Sequence, residues 1–120
     1  MAAGVPDSLL PVVSIQPTHV PALYNDPDLT ARIQAVLTDT LGAERVVEVP
    51  KETIGEDFSL YGSALPDVPS CMLRLGTYTP GEKDTDQPGL HSPYFAPDYQ
   101  QAIPTGVRSM AAVIQHLAAP

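Results

Sequence analysis

Few residues in this chain are of a type that does chemistry, and they sit in unlike surroundings. Of the three histidines, His91 closes a long irregular stretch, in Gly89-Leu90-His91-Ser92-Pro93-Tyr94-Phe95, with Asp98 shortly behind. A histidine held by a Ser-Pro turn is suited to present a neutral imidazole to a metal ion, and a neighbouring carboxylate is able to orient its other ring nitrogen. A single imidazole does not define a metal site, so an ordinary loop histidine is the competing reading. His19 lies between Pro17 and Pro21, and His116 falls on the polar side of the last helix beside Gln115, an ordinary solvated position. The adjacent acids Glu56 and Asp57, after Gly55 and before Phe58, either belong to a site or form a capping pair that complements the dipole of a short helix. Cys71, the single cysteine, has no partner for an internal disulfide. Its neighbours Met72, Leu73 and Leu75 suggest a buried strand and a core thiol.

The elements that must position these groups are legible from caps and periodicity. Asn25-Asp26-Pro27-Asp28 supplies a side-chain cap, a proline suited to the first helical position and an acid near the positive end of the dipole. Leu29, Ile33, Val36, Leu37 and Leu41 then form one apolar stripe, with Gly42 at the C-cap, which predicts a helix over 26–41. Val12 to Ile15, Arg45 to Val49 and Ser70 to Gly76 read as strands. Gly55 to Gly62 suits two helical turns, and Tyr78 to Leu90 is a surface loop without periodicity. Ile103, Val107, Met110, Val113, Ile114 and Leu117 line one face of a final helix, in which Pro104 marks the first turn or a kink. The order predicts an α/β fold, a small mixed sheet with helices packed on at least one face.

Composition narrows the function classes. With 120 residues, 43% of them hydrophobic and 17% charged, the chain is the size of one globular domain. Fourteen prolines break it into short elements. A net charge of -8 repels phosphate backbones and anionic lipid, which argues against nucleic-acid and membrane partners. Apolar stretches such as Ser109 to Ile114 are too short to span a bilayer, and the N-terminus lacks signal-peptide character, so a soluble, cytoplasmic protein is expected.

Several separated strings occur together: Gly55-Glu56-Asp57-Phe58-Ser59, Val68-Pro69 leading into Leu75-Gly76-Thr77, Leu90-His91-Ser92-Pro93-Tyr94-Phe95 with Asp98, and Ala102-Ile103-Pro104-Thr105-Gly106-Val107. In order and spacing they resemble the C-terminal part of the zinc-dependent amidohydrolases and carboxypeptidases of the aminoacylase, hippurate hydrolase and indole-acetyl-amino-acid hydrolase family, the twentieth metallopeptidase family. Tyr24 to Thr30 is similar to that family's return from its lid domain into the catalytic domain, and the likeness covers roughly residues 12–118.

The resemblance implies residues 1–22 as a remnant of the lid (dimerisation) domain, its last strand and linker, and residues 23–120 as the C-terminal portion of a catalytic domain. It implies hydrolysis of N-acyl amino acids or small peptides by paired zinc or manganese ions bridging a water, with a glutamate as general base. Paired divalent ions lower the pKa of the bridging water and stabilise the oxyanion. His91 corresponds to the final metal ligand, Glu56 and Asp57 brace or shape the site, and Gly76 and Thr77 lie at the pocket edge. The family's other ligands and its Glu-Glu pair do not occur here, and Cys71 lacks the context of the family's metal cysteine. No catalytic residue is therefore assigned. A chain with one ligand is expected to bind metal weakly and to be inactive alone. The second expectation, from a different class, is a non-catalytic module that self-associates as a homo-oligomer or pairs with a separate N-terminal chain.

Overall fold

Two helices organise the chain, and local chemistry sets the ends of both. The computed structural model describes residues 4–52, 55–78 and 87–119. In α1 (Pro27–Leu41), Asp26 is the cap: its Oδ1 accepts the Leu29 N–H at 2.8 Å, Pro27 occupies the first turn and Asp28 follows. The helix stops at Gly42, whose φ of 99° is open to a residue without Cβ, and whose N–H donates to the Thr38 carbonyl at 2.9 Å. A 3-10 turn, Ala43–Arg45, follows directly. The short α2 (Ser59–Ala64) and the long α3 (Tyr99–Ala118) complete the helical set, together with a 3-10 turn at Asp7–Leu9.

α3 begins four residues ahead of Ile103, the first residue of the apolar stripe. Asp98 explains the early start: its side chain accepts from the Gln101 backbone N–H at 3.4 Å and from Gln101 Nε2 at 2.9 Å. Its carbonyl takes the Ala102 N–H at 2.9 Å. Pro104 thus lies inside the helix, where it has no N–H to donate to the preceding turn.

α1 and α3 pack together. Ile33, Leu37 and Val113 form the buried centre, with Leu29, Val36, Leu41, Val46 and Cys71 against it. Arg108 Nη2 donates to the Thr40 carbonyl at 3.0 Å, placing a cation on an unpaired carbonyl at the negative end of α1. The segment 70–77 joins the starts of the two helices. The Asp26 N–H donates to the Ser70 carbonyl at 2.9 Å, and the Asp98 N–H donates to the Thr77 carbonyl at 2.6 Å. Between these anchors, the Leu75 side chain lies 3.1 Å from where a Cβ on Gly106 would stand, so the glycine admits a close approach to α3.

The expected small mixed sheet is absent. Among the described residues there is no strand: Val12 to Ile15 and Ser70 to Gly76 have no regular structure, and Arg45 to Val49 begins in the 3-10 turn. β-branched and apolar runs favour strands only where a neighbouring chain completes the ladder, and these three find no such neighbour. Val12, Val13 and Ile15 are 85–93% exposed. The loop reading for Tyr78 to Leu90 falls largely on residues 79–86, outside the described residues.

The result is an open molecule. Its accessible surface is 10262 Å², against about 6,300 Å² for a compact monomer of 12.8 kDa. Its radius of gyration is 20.3 Å, where about 14 Å is usual for this length. Among the described residues, no helix is long and apolar enough to cross a membrane.

Candidate functional site

His91 sits in a turn that the sequence builds twice over. The Ser92 N–H donates to the Gly89 carbonyl at 3.1 Å and the Phe95 N–H to the Ser92 carbonyl at 3.1 Å, while Ser92 Oγ accepts the Tyr94 N–H at 3.2 Å. The expected Ser-Pro turn is therefore present, with His91 at its head. His91 itself is exposed and has φ of 68°, the left-handed region that histidine enters more readily than most side chains. The turn holds the imidazole out from the body of the protein.

The same loop is fastened to the segment that carries Gly76 and Thr77. Besides the Asp98 to Thr77 bond, the Tyr78 hydroxyl donates to the Pro88 carbonyl, and the Tyr78 and Phe95 rings meet edge to face with centroids 5.9 Å apart. Thr77 is half-buried by this junction. Gly76 is exposed, with nothing within 4 Å of an added Cβ. The expected pocket-edge residues and the expected ligand thus share one junction at the start of α3. Asp98, read in the sequence as able to orient the His91 ring, has its carboxylate engaged at the α3 cap.

Glu56 and Asp57 lie elsewhere. Glu56 Oε1 accepts the Phe58 N–H at 3.0 Å, and the backbone carbonyls of Glu56 and Asp57 receive the Ser59 and Leu60 N–H groups at 3.1 and 2.9 Å. They build the turn that enters α2, close to the capping role weighed for them. Among the described residues, no hydrogen bond or ion pair joins them to His91. Next to them, Ser59 is 5% exposed and its Oγ has no hydrogen-bond partner.

The other donors are scattered. His19 and His116 are exposed. Cys71 is half-buried against the α1–α3 core, where its Sγ accepts from Thr30 Oγ1 at 3.5 Å, the placement of a core thiol. Among the described residues, no group of three or more His, Cys, Asp or Glu is placed to hold a metal ion. A zinc site takes three or four such donors. Among the described residues, the donor set does not fit a complete metal centre, and no chemical step is derived through one.

Asn25 is the positioning residue that its place in the sequence conceals. It precedes the cap and resembles one, but its side chain reaches the segment 70–77. Oδ1 accepts the Met72 N–H and Nδ2 donates to the Met72 carbonyl, both at 2.9 Å. This is the two-bond exchange of a β-pair made by one side chain. Among the described residues, the backbone groups of Leu73, Arg74, Leu75 and Gly76 make no such bonds. An Asn directly before an Asp-Pro cap, with a spare amide, is the signal that points to such a role.

Comparison with known proteins adds three findings. The model of the peptidase family M20/M25/M40 matches residues 12–116. A putative glutamate–cysteine ligase 2-3 from Rhodococcus jostii (strain RHA1) is 34% identical over 94 residues, 78% of this chain; the chain spans only 11% of that relative's length. No solved structure matches.

Proposed function

The chain belongs to the peptidase family M20/M25/M40, and from that membership we propose that it is the C-terminal part of the catalytic domain of a metal-dependent amidohydrolase acting on N-acyl amino acids or small peptides. In this reading, residues 23–120 are the catalytic-domain portion and residues 1–22 the remainder of a lid domain. His91 supplies one ligand to a zinc or manganese centre whose other ligands and general base lie outside this chain. Thr77 and Gly76 border the substrate pocket from the junction beside His91, and Glu56 and Asp57 brace the wall through the turn into α2.

The observation that carries the proposal is the family match together with His91, a lone imidazole projected from a fastened turn. The ligase named for the Rhodococcus relative offers little guidance, because this chain corresponds to a small fraction of that protein.

The test is hydrolysis of N-acetyl and N-benzoyl amino acids by the complete gene product containing residues 1–120, with zinc or manganese supplied. His91→Ala is expected to lower kcat/KM by at least ~100-fold, as loss of a first ligand does to metal-activated water. A near-normal rate in that variant would refute the assignment.

A second reading, from a different class, is favoured by the open surface: a non-catalytic module that keeps the family scaffold and associates with other chains. Hydrolysis by the complete product that depends on His91 separates the two.

A further inference from the structure

The bonds inside the His91 turn fix its shape but not where it stands. They are local: Ser92 to Gly89, Phe95 to Ser92, and Tyr94 to Ser92 Oγ. One side chain from outside the turn holds both of its flanks. The Tyr78 hydroxyl donates to the carbonyl of Pro88, ahead of His91, and the Tyr78 ring meets that of Phe95, behind it, at 85° with centroids 5.9 Å apart. Tyr24, Tyr61, Tyr94 and Tyr99 are 64–79% exposed, whereas Tyr78 is half-buried. Its neighbour Thr77 takes the Asp98 N–H at the start of α3, so Tyr78 is itself anchored from behind.

We propose that Tyr78 is a positioning residue for His91, a two-point clasp that sets where the imidazole stands relative to the segment bearing Gly76 and Thr77. The proposal rests on the reading of His91 as a site residue and deepens it. The hydroxyl and the ring grip opposite flanks, so losing one frees one side of the turn and losing both frees all of it. The two contacts also complement each other: the hydrogen bond fixes a distance, and the edge-to-face pair fixes an angle. His91 gives the clasp something to hold. Its φ of 68° is a backbone state that a residue with a Cβ keeps only while its surroundings impose it. The effect of Tyr78 on a reaction passes through His91, because a misplacement of about 1 Å in a site group costs ~100-fold in rate.

Amide exchange followed by NMR on the whole chain tests the clasp itself. Tyr78→Phe, which keeps the ring, is expected to speed exchange of the Ser92 N–H on the Pro88 side and to leave that of Phe95 nearly unchanged. Tyr78→Ala is expected to speed both by at least ~10-fold, with the α1 amides around Leu37 unmoved. Hydrolysis by the complete gene product supplies a readout that a purely structural role would not move. There Tyr78→Ala is expected to lower kcat ~100-fold with KM within about twofold, and to take nothing further from the residual rate of His91→Ala. Turn exchange unchanged in Tyr78→Ala overturns the proposal. So do losses that multiply in the double variant, or a Tyr78→Ala enzyme whose KM rises while kcat holds. A His91→Ala enzyme of normal rate overturns the catalytic reading instead, and amide exchange alone then decides the clasp.

Discussion

Replacing Asn25 by Ala removes two hydrogen bonds to a single residue 47 positions away, the Met72 N–H and carbonyl, each 2.9 Å long. Each such bond contributes about 1 kcal/mol net, and the freed groups on half-buried Met72 are only partly rehydrated, so the loss is about 2 kcal/mol. That is a large share of the stability of a chain whose buried apolar centre is this small. With a urea dependence of about 1 to 1.5 kcal/mol per molar for a chain of this size, the midpoint is expected to fall by about 1.5 M in urea titrations followed by circular dichroism. Asn25→Leu, which restores the volume without the amide, is expected to fall as far. A midpoint within about 0.3 M of wild type for the alanine variant, or recovery in the leucine variant, would refute the view that the amide bracket holds the segment 70–77 to α1.

The remaining expectations concern the helices. Asp26→Ala deletes the side-chain acceptor of the Leu29 N–H and is expected to cost about 1 kcal/mol in the same titration, with Asp26→Ser recovering most of it. Gly106→Ala adds a Cβ 3.1 Å from a Leu75 methyl that is free to yield, because Leu75 is 43% exposed. The gain in helix propensity, up to about 1 kcal/mol, is therefore expected to win and to raise the thermal midpoint; a lower midpoint would mean that the Leu75 contact is rigid.

What the sequence disclosed and what it hid divide along physical lines. α1 was legible because every determinant is local: the Asp-Pro-Asp start, the stripe through Ile33 and Leu37, and the glycine stop. The existence of α3 was legible for the same reason, but its buried face was not. Helical periodicity reports that Ile103, Val107, Met110, Val113, Ile114 and Leu117 share a side; it does not report which neighbour meets that side, and of these only Val113 joins the core with α1, while α3 also buries Ala102 and Ser109. The strand readings at Val12, Arg45 and Ser70 failed through the same gap, since a sheet is a property of pairs of segments, and their propensities were read one segment at a time. The Ser-Pro turn around His91 was anticipated from three consecutive residues. Its tie to Thr77 through Asp98 and Tyr78 was not, because both bonds cross residues 79–86. The bracket that Asn25 makes with Met72 was hidden because its partner is 47 positions away in the chain.

If His91 is one ligand of a metal centre that this chain does not complete, zinc titration by calorimetry reads it directly. The chain with His19 and His116 replaced by alanine, leaving His91 as its single imidazole, is expected to bind zinc more weakly than about 10 µM, and to lose that binding on His91→Ala. Stoichiometric binding at nanomolar affinity, or binding indifferent to His91, would contradict the claim.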